Sequence, residues 1–161
     1  MDEHAKAAYR RALGAFATGV AVITVADGDK TVALTVNSFT SLSLDPPLVL
    51  WCLGKASDRG VWFLDAERFT VNILGVEDAS LAQHCARRGQ YFLPPERVDA
   101  SRPGQPAVTG ALSRLFCTKH QWVSVGDHLI LIGEVGEYDT RAGDGLTYFR
   151  GKYGEAPSPG E

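Results

Sequence analysis

The stretch TVNSFTSLSLDPPLVLWCL, residues 35–53, decides how the chain is read. Ser38, Thr40, Ser41 and Ser43 crowd together ahead of a double proline, Pro46-Pro47, and an unbroken apolar run follows them. The run LVLWCL (48–53) reads as a strand buried on both sides. The hydroxyls before it admit two readings. They are turn chemistry, bonding nearby backbone amides before the proline stop, or several of them, with the local amides, hold an anionic ligand.

Upstream, GVAVITV (19–25) and TVALTVNS (31–38) flank the turn signal DGDK (27–30), so a hairpin is expected. Val32, Leu34 and Val36 alternate with Thr31, Ala33, Thr35 and Asn37. The small and polar face suits either solvent or a flat ligand lying against the sheet. Before the hairpin, Tyr9, Leu13, Phe16 and Val20 recur at helical spacing, which predicts an amphipathic helix ending near Gly19.

Downstream, Lys55-Ala56-Ser57-Asp58 precedes a short helix through Ala66, with Ser57 or Asp58 as its cap. RFTVNIL (68–74) alternates as a strand, and EDASLAQHCARR (77–88) is a helix with acids first and bases last, as the helix dipole prefers. Between Gln90 and Gly110, four prolines mark a long loop, of a kind that often covers a site. RLFCTKHQWVSV (114–125) and HLILIGEVGEY (128–138) are two late strands joined at Gly126-Asp127. The order lacks strict strand–helix alternation, so the expected fold is mainly β: an antiparallel barrel with peripheral helices. One domain is expected over 1–154, with 155–161 a disordered tail too rich in Gly, Pro and Glu to order itself.

A formal net charge of -3 and no basic block argue against a nucleic-acid surface. The acidic opening residues and the lack of any membrane-length apolar run suggest a cytoplasmic protein. Cys52, Cys85 and Cys117, with His4, His84, His120 and His128, show no metal-ligand spacing, so no metal is expected. Neither GxGxxG, GxxxxGK[ST] nor GxSxG is present. A chain without obvious chemistry of its own suits a protein whose cofactor does the chemistry.

RRALGAFATGVAVIT (10–24), TVNSFTSLSLDPPLVLWCL with KAS (55–57), RFTVNIL, GDHLILIGEV (126–135) and LTYFRGKYG (146–154) occur in one order from about Tyr9 to Gly154. Together they resemble the short-chain flavin reductase family, the small reductase components of two-component flavin monooxygenases. The resemblance implies an FMN-binding split β-barrel of Greek-key antiparallel topology, usually a homodimer. FMN or FAD would lie near the subunit interface, take hydride from NADH or NADPH, and serve a separate flavin-dependent monooxygenase. Thr35, Val36, Asn37 and Ser38 would meet the flavin ring; Thr40, Ser41 and the Lys55-Ala56-Ser57 segment would meet its phosphate. His128 would position the nicotinamide as the catalytic residue. On this reading the opening hydroxyls are a flavin cradle. Ala33 stands where the family commonly has glycine, which would set a methyl against the ring. Two other readings stay open: a flavin-binding or electron-carrier protein without pyridine nucleotide activity, and a non-catalytic dimeric partner on the same barrel.

Overall fold

The computed structural model describes residues 1–160. Helix α1 spans Glu3–Leu13, started by Asp2, whose carboxylate accepts from the Ala5 N–H at 2.7 Å. It closes at Gly14, whose N–H bonds to the Arg10 carbonyl, so the helix stops short of the expected Gly19. Gly14 ends the ladder and residues 18–19 already pair as a strand. Tyr9, Leu13 and Phe16 all stay exposed.

Strands β1 (Thr18–Gly19), β2 (Ala21–Asp27), β3 (Lys30–Val36), β4 (Thr40–Leu44) and β5 (Pro47–Gly54) follow, then helix α2 (Gly60–Asp65), β6 (Arg68–Ile73) and helix α3 (Ala79–Ala86). The two-residue strands β7 (Val98–Asp99) and β8 (Ala107–Val108) lie in the proline-rich loop; β9 (Ser113–Val125), β10 (His128–Thr140), β11 (Gly145–Phe149) and β12 (Lys152–Ala156) complete the chain. All pairings are antiparallel, in a seven-stranded sheet of order β3-β2-β6-β9-β10-β5-β4 and a small sheet β1-β11-β12. The expected hairpin β2–β3 pairs Ala21 with Val36 through to Asp27 with Lys30.

The large sheet curls around one core. Ile23, Val32 and Val36 from one end share it with Trp51, Leu53 and Leu131 from the other. Trp51 meets Phe63 at 5.2 Å and Phe69 at 6.0 Å, both edge to face. Gly133 is required here, because a Cβ would run into the Phe69 ring. Each large side chain so buried contributes about 1.5–3 kcal/mol. The ladder itself does not close: β3 and β4 are its edges. A side chain spans part of the gap, with the Cys52 N–H donating to Ser38 Oγ at 2.9 Å.

Four expectations change on this frame. The outer face of β3 meets neither solvent nor ligand at Ala33, which is fully buried with Leu81, Ala82 and Cys85 of α3 in a second core. Its methyl is therefore packed under a helix. Strand β5 is buried on one face only, with Val49, Trp51 and Leu53 inward and Leu48, Leu50 and Cys52 half-buried, since no layer covers the outer face. The proline-rich loop covers a sheet edge: the Leu93 N–H donates to Thr31 O at 2.9 Å and the Ala33 N–H to Tyr91 O at 2.8 Å, shielding β3 from further pairing. Buried Asn72 holds the loop's far half, accepting from the Val108 N–H at 2.7 Å. At the end of the chain the ladder takes in Glu155 and Ala156, paired with Leu146 and Gly145, so backbone pairing orders two residues that composition assigned to the tail.

Candidate functional site

Where β3 ends, the chain leaves the sheet at Asn37 beside the small sheet. Thr18 pairs with Tyr148 across β1 and β11, and Tyr148 pairs with Tyr153 across β11 and β12, so register alone stacks one hydroxyl and two phenols into a wall. The Tyr148 and Tyr153 rings lie 5.4 Å apart. Between this wall and the end of β3 lies a cleft of about 210 Å³ lined by Val20, Thr35, Val36, Asn37, Ala86, Tyr148 and Tyr153. Thr35 donates its hydroxyl to Ala82 O at 2.7 Å, tying the cleft floor to α3. Burial raises the Tyr153 phenol above its ordinary value, so it stays a neutral donor. Asn37 is exposed at the rim, and its side chain makes no hydrogen bond among the described residues. An adjoining groove shares Asn37 and Tyr148 and includes Thr18, whose hydroxyl is buried without a partner. An unpaired hydroxyl is costly when dry, and a polar ligand edge would relieve it.

A second group of residues gathers at the corner joining β5 to β10. His128 stands opposite Gly54, with its Nδ1 2.7 Å from the Asp127 carboxylate. That hydrogen bond holds the Asp127 carboxyl below the usual range. The Lys55 N–H bonds to Asp127 O at 2.9 Å and its ammonium donates to Gly126 O at 2.8 Å, so the KAS turn and the GDH turn are one structure. Ser57 Oγ accepts from the Arg59 N–H at 3.3 Å as a turn, and α2 begins without any side-chain cap. The Ala56 N–H makes no hydrogen bond among the described residues. An ammonium, a free amide and the Ser57 hydroxyl thus face one turn, a donor set suited to an anion.

The expected site residues therefore fall into groups. Thr35, Val36 and Asn37 share the cleft; Lys55, Ala56, Ser57 and His128 share the corner. Ser38 lies between them, its hydroxyl committed to the Cys52 backbone, and Cys52 is two residues from Gly54, about 7 Å along the strand. Thr40 and Ser41 stand apart, exposed on edge strand β4, with Thr40 bonded to its neighbour's carbonyl. Of the four opening hydroxyls, Ser38 is thus backbone chemistry.

Residues 13–157 match the model of the flavin reductase like domain. The chain belongs to this family. It is 38% identical over 148 residues to the FMN reductase (NADH) SmoA of Agrobacterium fabrum, covering 91% of this chain and 83% of that one. It is 38% identical to the reductase component of the flavin-dependent trigonelline monooxygenase of Acinetobacter baylyi over 89% of this chain, and spans about half of that relative, 47%. Among solved structures it superposes on flavin reductase PheA2 with a TM-score of 0.86 at 33% identity, covering 98% of this chain and 100% of that one.

Against the family pattern, sequence reasoning assigned no role to Thr18, Tyr148 and Tyr153. All three lie inside RRALGAFATGVAVIT and LTYFRGKYG, two of the stretches that carry the family resemblance. Arg59 was missed outright. It is 2% exposed and donates to Ala33 O at 2.8 Å, Cys85 O at 2.5 Å and Arg87 O at 2.6 Å, fastening the end of α3 beneath the cleft. Nothing in its neighbours distinguishes it from a surface arginine.

Proposed function

We propose that this protein is an NADH- or NADPH-dependent flavin reductase that reduces FMN or FAD and supplies a separate flavin-dependent monooxygenase. The observation that carries the reading is the cleft at Asn37, walled by the Tyr148 and Tyr153 phenols and joined by a groove that includes the unpartnered Thr18 hydroxyl, in a chain of the flavin reductase like family. These groups fit a flat ring edged with donors and acceptors. Thr35, Val36 and Asn37 border the ring, with Ser38 holding that end of β3 against β5. The phosphate meets the Lys55-Ala56-Ser57 turn, and Thr40 and Ser41 stand on the neighbouring edge strand. A flavin held there would supply the electron-accepting ring that takes hydride from the nicotinamide. The chain's own residues then bind, orient and exclude water. His128, oriented by Asp127, positions the donor.

The reading extends to a split barrel and a homodimer. Leu42 and Leu44 on edge strand β4, with Val123 and Val125 at the end of β9, are exposed apolar residues that a second copy would cover. Among the described residues no helix is long and apolar enough to cross a membrane. The three free cysteines suit a cytoplasmic setting.

The test is anaerobic stopped-flow absorbance with FMN or FAD, mixed with NADH and then NADPH against a protein-free control. Rapid bleaching is expected with at least one donor. Asn37→Ala should weaken FMN binding about tenfold. His128→Ala should slow bleaching and raise the donor KM while FMN stays bound. Flavin binding without accelerated bleaching would move the assignment to a carrier.

A further inference from the structure

The groove beside the candidate ring cleft continues past Tyr148 to a patch of unpaired positive charge. The groove that shares Asn37 and Tyr148 with the cleft also includes Arg10, Gly14 and Arg150, and these three line a further hollow of about 680 Å³ with Arg11. Arg10 and Arg11 end α1, while Arg150 comes from the β11–β12 turn, so distant parts of the chain bring the cations together. In a chain of formal net charge -3, Arg10, Arg11 and Arg150 form no ion pair among the described residues.

Two observations set Arg150 apart from a chance surface arginine. Its φ is +48°, left-handed backbone that costs a side-chain-bearing residue roughly 1–2 kcal/mol, at a turn where asparagine or glycine would sit at ease. Its N–H is tied to Gly14 O at 3.0 Å and its guanidinium lies 5.2 Å from the Phe149 ring centre, which holds the fork beside α1. The carbonyl end of α1 brings about half a negative charge, which Arg10 and Arg11 offset. Arg150 has no such duty.

The geometry points to this rim as the site for the outer phosphates of the pyridine dinucleotide, with its nicotinamide over the flavin ring between the Asn37 cleft and His128. The inference rests on the ring-cleft reading above. The flavin phosphate already has a donor set at the Lys55 turn, which leaves the rim for the donor's phosphates. Guanidinium forks suit phosphoryl oxygens, and an open, charged rim favours a ligand that must bind and leave in each turnover.

The experiment measures steady-state KM for NADH, NADPH and reduced nicotinamide mononucleotide, together with FMN and FAD affinity, for the full chain and for the double variant Arg10→Ala/Arg150→Ala. A roughly tenfold rise in KM for both dinucleotides is expected. FMN and FAD affinity, kcat and KM for the mononucleotide should stay unchanged, and the dinucleotide effect should shrink in high salt. Unchanged dinucleotide KM, an equal rise for the mononucleotide, or a loss of FAD affinity in its place would overturn the inference. Asn37→Ala keeps the two readings separable: normal FMN binding in that variant sinks the ring cleft, whereas the arginine variant alone decides the rim. Arg150→Gly, which relieves the backbone strain while removing the charge, should reproduce the KM rise with stability retained.

Discussion

Arg59 and Arg150 are the same side chain in opposite surroundings. Arg59 is 2% exposed and its two terminal nitrogens donate to three carbonyls, from Ala33, Cys85 and Arg87, while its Nε lies 3.7 Å from the Asp58 carboxylate. Arg150 is exposed, holds a costly backbone conformation and has no carboxylate partner among the described residues. Arg114 stands between them, half-buried, with 2.5 Å and 2.6 Å ion pairs to Asp99 and Asp139. The difference teaches that an arginine's partner tells its role: carbonyls mean architecture, paired carboxylates mean a fastening between strands, and no partner leaves charge for something outside the chain.

The comparison can be broken at each level. The largest effect on stability is expected at Arg59→Met, which strips three carbonyls at the end of α3 of their donor; denaturant unfolding should show a loss of about 3 kcal/mol. Arg150→Gly under the same conditions should stay within about 0.5 kcal/mol of the parent. Equal losses in the two would erase the distinction.

A smaller effect is expected at Asp99. Hydrogen bonds from Ser101, with Arg114 beside it, lower its carboxyl to about 2. Because the folded value is depressed, the stabilisation is fully present above the ordinary value near 3.8 and is lost as pH falls through that value toward about 2. For a half-buried pair at the surface, screening leaves roughly 1 kcal/mol. Asp99→Asn should therefore be less stable than the parent at neutral pH and converge with it only as pH falls to about 2 in acid unfolding curves.

No loss of stability is expected for Thr18→Val, which replaces an unpartnered buried hydroxyl by a methyl of similar size. Stability should hold or rise by up to about 1 kcal/mol, while flavin affinity falls. Trp51 Nε1, Arg59 Nε and Thr70 Oγ1 are also unpartnered, but only Thr18 lines the groove beside the cleft, which is what the variant probes. A loss of stability with unchanged flavin binding would remove Thr18 from the site.

Much of the framework was legible because it is local. Alternation marked β3 and β6, apolar or β-branched runs marked β2, β9 and β10, the DGDK turn marked the β2–β3 hairpin and Gly126-Asp127 the β9–β10 hairpin, and helix spacing found α1, although Gly14 and not Gly19 ends it. The cleft was half legible: Thr35, Val36 and Asn37 come from one motif, whereas Tyr148 and Tyr153 reach it by pairing across β11 and β12. Ser38 looked like its hydroxyl neighbours, and only the approach of β5 commits it to Cys52.

The sequence by itself determined the strands, the turns and, through several motifs in one order, the family, because each of those depends on residues within a few positions of one another. Tertiary structure decided which face of β3 α3 covers, which arginine is buried and which is left free, and what Ser38 bonds to. Those outcomes depend on contacts such as Arg59 with Cys85 and Thr35 with Ala82, between residues whose local preferences carry no information about each other.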